Sequence, residues 1–231
     1  LRGRHQAWFL ALAEEAQRRG GGPEQVAWLD RLETEYDNLQ AALGWRDQDP
    51  ASNVLRLRLG GALWRFWEVR GRLREGRDWL EAILTEAGHD APAARAGALN
   101  GAGNLARDVG DYERGAAHHT EALGLRRQIG DPRDIARSLN NLGVIAHDRA
   151  RYAEAEAFFS EAIQSWRAAG DDELLPLTLN NLGRTRRFQG DFERAEVLGQ
   201  EALVLFRAND HAWGTAQELS NLADTALYQG D

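Results

Sequence analysis

Apolar residues recur along most of the chain at the spacing of a buried helical stripe. Around position 140 they fall at Leu139, Leu142 with Gly143, and Ala146, which is the i, i+3, i+4, i+7 pattern of one helix face. A second stripe of the same period follows at Tyr152, Ala155, Ala162 and Ile163, with small residues where two helices must come close. The pattern therefore predicts a pair of helices, joined where the stripe is interrupted at Ala150-Arg151.

The pair repeats. LNGAGNLARDVGDYERG, LNNLGVIAHDRARYAEA, LNNLGRTRRFQGDFERA and LSNLADTALYQGD begin at Leu99, Leu139, Leu179 and Leu219, a spacing of 40 each time. Gly115, Ala155 and Ala195 hold the same register, as do the EAL, EAI and EAL triplets that start at Glu121, Glu161 and Glu201. The joints within the pairs are Gly110-Asp111, Ala150-Arg151, Gly190-Asp191 and Gly230-Asp231, and those between them are Gly130-Asp131, Gly170-Asp171 and Asp210-His211. Glycine suits the left-handed position that ends one helix, and aspartate caps the next by accepting from its first-turn amides. Ala150-Arg151 departs from this chemistry, so its turn is expected to be less well capped.

These motifs resemble the tetratricopeptide repeat in its longer form, marked by NNLG in the first helix and GDYxxA at the turn. The resemblance covers roughly residues 94 to 231 and implies an all-α, right-handed α-solenoid of stacked helix pairs. The repeats divide as 91–131, 132–171, 172–211 and a truncated 212–231. The last of these stops at its turn, and is expected to expose an apolar face and to continue in a longer protein.

Residues 1–90 have a different composition, with six of the eight tryptophans: Trp8, Trp28, Trp45, Trp64, Trp67 and Trp79. Helices are predicted over 4–19, 23–46, 51–70 and 73–87, with Gly20-Gly21-Gly22-Pro23 between the first two and Pro23 at a helix start. Aromatic residues at helical spacing predict core. GRLREGRDWLEA, from Gly71 to Ala82, reads as part of a degenerate repeat over about 52–90. The strings RHQAWFLALAEEA at Arg4, WLDRLETEYDNLQAALGW at Trp28 and ALWRFWEVRGRLREGRDWLEAIL at Ala62 are similar to the helical segment of large bacterial STAND-class ATPase regulators, the MalT-like, AfsR-like and large LuxR-type transcription factors. That resemblance implies an upstream nucleotide-binding domain that would carry ATP, possible contact of the repeats with that domain, and a cytoplasmic sensor arm for a peptide, protein or small inducer.

Composition narrows the chemistry. All 28 basic residues are arginine, and the chain has no Cys and no Met. A P-loop and a Schiff base need lysine, and thiol catalysis or Cys-ligated zinc needs cysteine, so no such chemistry and no cofactor is expected from these residues. Without an initiator Met the chain is expected to be a fragment or a processed product, with a fragment preferred. A net charge of −8 with no basic run argues against nucleic acid, and no apolar run approaches 18 residues, so no membrane span is expected. His118-His119 lacks the i, i+4 spacing of paired metal ligands, and Gly101-x-Gly103 has no preceding strand. No enzyme activity is expected.

The binding candidates lie on the first helices. In register, they form a row of Asn100, Asn140, Asn180 and Ser220, a row of Asn104, Val144, Arg184 and Asp224, and a row of Arg107, His147, Arg187 and Leu227. Asparagine is a mediocre helix former, so its recurrence needs a reason. Its amide offers donor and acceptor together, which suits clamping a peptide backbone or bonding a neighbouring helix. Asn141, Asn181 and Asn221 lie nearer the helix interfaces and fit the second role. Arg107, His147 and Arg187 suggest a cationic strip for an anionic ligand, with Asp108 and Asp148 positioned to neutralise part of it. The expected groove residues are thus Asn100, Asn104, Arg107, Asn140, His147, Asn180, Arg184, Arg187 and Asp224. A plain scaffold for protein assembly is the alternative function.

Overall fold

The computed structural model describes residues 2–20, 24–46 and 50–229, and among them regular structure is helical throughout. The chain forms two compact units, Leu1–Ile129 and Gly130–Asp231. The Gly21-Gly22-Pro23 part of the predicted first linker and the Gly230-Asp231 joint lie outside the described residues.

The first unit contains α1 (Arg2–Arg19), α2 (Gln25–Thr34), α3 (Tyr36–Gly44), α4 (Pro50–Val69), α5 (Leu73–Glu86), α6 (Pro92–Asp108) and α7 (Tyr112–Ile129). The single helix predicted over 23–46 is two helices, broken at Glu35 (φ −96°, ψ 11°). The Thr34 hydroxyl donates to the Asp30 carbonyl at 2.9 Å and competes there with the helical amide, a bond that bends helices. The break sends Tyr36, Leu39 and Leu43 into the core with Leu63, Phe66, Trp67, Leu80 and Leu99. Trp67 is fully buried, and its indole donates to the Tyr36 hydroxyl at 2.9 Å. Trp28, Trp64 and Trp79 pack partly buried against this core, whereas Trp8 is 52% exposed, so the expectation of core fails for Trp8.

A buried arginine ties this unit together. Arg56 donates through Nε to the Leu43 carbonyl (2.8 Å) and through Nη1 to Glu86 (2.8 Å). Glu86 also accepts from Arg46, and these guanidiniums hold its carboxyl down to about 2, with Arg46 the larger influence. Small residues then let α4 approach α6. A Cβ on Gly101 would come within 2.8 Å of Trp64, and one on Gly61 within 3.1 Å of the Gly97–Ala98 backbone.

The second unit contains α8 (Pro132–Asp148), α9 (Tyr152–Ala169), α10 (Leu175–Phe188), α11 (Phe192–Ala208) and α12 (Ala212–Gln229). Its core comprises Ala136, Ala146, Phe159, Trp166, Leu179, Leu182, Ala202 and Phe206, and Leu139 and Leu142 are buried as well. In the first pair of this unit, the Phe159 ring lies over Gly143, where an added Cβ would meet ring carbons at 2.5 Å. The expected turn chemistry is present at Gly190-Asp191, where Gly190 has φ 81° and Asp191 accepts from the Arg194 amide. Asp131 likewise caps α8 through the Arg133 amide at 2.9 Å. At Asp210-His211 the roles shift: Asp210 takes the left-handed position (φ 51°) and His211 Nδ1 accepts from the Gly214 amide at 2.9 Å.

Ala150 closes the same turn at φ 57°, a conformation that strains a residue carrying a Cβ. Its amide still bonds the His147 carbonyl, but Arg151 supplies no side-chain cap to α9. Replacing the two by Gly and Asp is expected to raise stability by about 1–2 kcal/mol, from relieved strain and a new cap. Urea unfolding monitored by circular dichroism measures this, and an unchanged or lower midpoint contradicts it.

Candidate binding face

In the first unit, Asn100 is half-buried with Oδ1 3.5 Å from Arg126 Nη1, Asn104 is only 7% exposed, and Arg107 is bonded through Nε and Nη2 to its neighbour Asp108 (3.0 and 2.7 Å). His118 and His119 diverge. His118 Nε2 meets Glu81 at 3.0 Å, while His119 is buried beside Gly103 and burial, followed by the charge of Arg126, pushes its pKa down to about 3.

In the second unit the asparagines are engaged between helices. The Trp166 indole donates to the Thr178 hydroxyl (3.0 Å), that hydroxyl donates to Asn140 Oδ1 (3.2 Å), and Asn181 Nδ2 donates to the same oxygen (3.1 Å). Asn180 donates through Nδ2 to Glu218 of α12. Two of the row's amides therefore spend part of their capacity on neighbouring helices, and the structure brings them to α10 and α12.

His147 Nδ1 lies 2.9 Å from the Thr185 hydroxyl, whose single proton is donated to the Asn181 carbonyl at 2.9 Å. The hydroxyl can only accept from the ring, so His147 carries its proton on Nδ1. Burial first, and the charge of Arg184 second, push its pKa down to about 4. Arg187 donates to the Asn221 carbonyl (3.1 Å) and pairs with Asp224 (3.4 Å). The expected cationic strip is thus muted: Arg107 and Arg187 each face an aspartate, and His147 is neutral at pH 7.

Glu218 went unnoticed in the sequence. It sits 40 residues after Thr178 and 80 after Ser138, positions that are fully buried and small, and it is itself only 3% exposed. Burial raises its pKa, opposed by hydrogen bonds from Asn180 and Asn221. Room for it comes from Gly199, which occupies the register of His119 and Phe159, and a Cβ there would meet Glu218 Oε1 at 2.6 Å. The available signal was this paired departure, a carboxylate in a small-residue register and a glycine in a ring register. Asn180, Arg184, Arg187, Glu218, Asn221 and Thr225 line the small polar cavity that results.

Beside it opens a cleft of about 300 Å³ lined by Arg187, Phe188, Phe192, Asp224 and Tyr228. Phe192 and Tyr228 stack with centroids 5.9 Å apart and planes 12° apart, and Phe188 stacks on Tyr152 at 5.7 Å. Among the described residues no group of three or more His, Asp and Glu side chains could hold a metal ion. The surface offers amides, paired charges and exposed rings, which suit recognition of a polypeptide.

Residues 94–168 and 134–208 each match the tetratricopeptide repeat family. These are tetratricopeptide repeats. A protein of Mycobacterium bovis described as an HTH-type transcriptional regulator is 31% identical over a match covering 58% of this chain and 16% of that protein, and counterparts in Mycobacterium tuberculosis match equally. The chain thus spans a small part of these relatives. Among solved structures, the Pyrococcus horikoshii STAND protein with a tetratricopeptide repeat sensor has a TM-score of 0.71 at 15% identity, covering 84% of this chain and 30% of that one. PlcR of Bacillus thuringiensis, solved with a peptide and DNA, has a TM-score of 0.64 at 14% identity, covering 93% and 73%. Both likenesses concern the fold, which is all-α and built of repeat-type helix pairs.

The buried histidines make the repeats acid-sensitive. Both stay neutral in the fold at pH values where they would be charged in the unfolded chain, so unfolding takes up protons between about pH 6.5 and pH 4. Their contribution is complete above about pH 6.5 and is lost as the pH falls. The unfolding free energy is expected to drop between about pH 7 and pH 5, and His147→Gln to flatten that drop. Urea titrations across this range check it, and an identical slope in the variant contradicts the assignment.

Proposed function

We propose that this chain is the non-catalytic recognition arm of a larger STAND-type signalling or transcription regulator of the cytoplasm, receiving a peptide, protein or small inducer on the first-helix face of its repeats. The observation that carries this reading is the second unit's binding face, where Asn180, Arg184 and Arg187 line a polar cavity beside the exposed rings of the aromatic cleft. Asn140, His147 and Asp224 extend the proposed recognition surface within the second unit, and Asn100, Asn104 and Arg107 form the corresponding candidate surface of the first.

Three things support the wider assignment: the resemblance of the first ninety residues to STAND regulators, the relatives described as HTH-type regulators, and the fold shared with a STAND protein whose repeats are described as a sensor. The fold shared with PlcR, solved with a peptide, supports a peptide ligand. Among the described residues no helix is long and apolar enough to cross a membrane. In a regulator of this kind ATP belongs to another domain, which the arm would contact. The ligand shifts the switch only by its difference in affinity for the two states. A scaffold without an ATPase is the second reading, favoured by the repeat fold itself.

A peptide array probed with the chain tests the face. Arg184→Glu is expected to change the affinity of bound peptides about tenfold or more, downward for acidic and upward for basic ones, whereas Val197→Arg, at an exposed position of α11, leaves them unchanged. Equal effects from the two substitutions, with both variants folded by circular dichroism, contradict the assignment.

A further inference from the structure

The aromatic cleft has features that the repeat fold does not require. Phe188 and Tyr228 occupy the register in which α6 and α8 carry Asp108 and Asp148, so helix pairs form without an aromatic there. Both rings are exposed, 58% for Phe188 and 69% for Tyr228, and so contribute little to the core. Asp224 holds the register of Asn104, Val144 and Arg184, and is the only acid of that row. Aromatic rings and a carboxylate thus converge on one cleft between α10, α11 and α12.

The charge that reaches solvent there is negative. Arg187 lines the cleft, but its side chain is only 15% exposed and is anchored from behind by the Asn221 carbonyl. Its partner Asp224 has a side chain 56% exposed. A ring face attracts a cation through its quadrupole, and a carboxylate beside it adds direct attraction. The net charge of −8 favours the approach of a basic partner in the same sense. The volume lies at the lower end of ligand pockets, about 300–1,000 Å³, and suits one side chain of a longer ligand.

We propose that this cleft receives a cationic side chain, a guanidinium or ammonium group of a basic peptide segment, against the rings of Phe188 and Tyr228 and beside Asp224. The proposal rests on the reading of this face as a peptide-binding surface and specifies the chemistry of its ligand. It also reverses the sign expected from the row of Arg107, His147 and Arg187, because those groups are paired or neutral.

The test is calorimetric titration of the chain with three synthetic nonapeptides that alternate leucine with arginine, with citrulline, or with glutamate. The arginine peptide is expected to bind, and the citrulline and glutamate peptides to bind about fivefold more weakly or not at all. Asp224→Asn and Tyr228→Ala are each expected to weaken the arginine peptide about fivefold. Glu173→Gln, which removes the same charge from an exposed acid in the turn before α10, is expected to change nothing. Equal weakening by Glu173→Gln, no effect of Asp224→Asn, or no binding of the arginine peptide overturns the proposal. A glutamate peptide that binds and is released by Arg184→Glu overturns the cationic ligand while keeping the peptide-binding face.

Discussion

A ring from the second helix of a pair resting on a glycine of the first sets how closely the two helices approach. Phe159 lies on Gly143 and His119 on Gly103, each with no room for a Cβ. At that separation the leucines on the same face are buried, as Leu139 and Leu142 are. Within the second unit adjacent amides can then reach the next helix, as Asn181 reaches Asn140.

Where the ring is absent, the structure changes character. In the third pair Gly199 replaces it, and Glu218 of α12 reaches into the space. A buried carboxylate needs hydrogen-bonding partners, and Asn180 is turned toward it. One glycine therefore converts an apolar contact into the polar cavity lined by Arg184, Arg187 and Asn221. The cleft formed by Phe188, Phe192, Asp224 and Tyr228 adjoins this altered packing through Arg187, which lines both spaces.

Much of the fold was legible because a repeat of 40 residues reports the same local constraints several times over. The helix pairs, the left-handed glycines and the weak cap at Arg151 depend on neighbours within a few positions. The break at Glu35 was not legible, since the Thr34 hydroxyl bonds the Asp30 carbonyl there just as Thr225 bonds the Asn221 carbonyl within the unbroken α12. The binding face was legible in its rows and not in its bonds. The relay from Trp166 through Thr178 to Asn140 spans partners up to 38 residues apart. The neutrality of His147 depends on burial and on Arg184, 37 positions away. Side-chain type marked the positions, and only the packing shows how much of each group's capacity remains for a ligand.

The most direct test of this account is the stability of Gly143→Ala in two backgrounds, measured by urea unfolding. Glycine to alanine inside a helix ordinarily stabilises by about 0.5–1 kcal/mol. With Phe159 in place the opposite sign is expected, a loss of about 1–3 kcal/mol from the clash with the ring. With Phe159 already replaced by Ala the ordinary gain is expected to return. The same stabilising effect in both backgrounds would contradict the claim that ring-on-glycine contact sets the spacing of the pair.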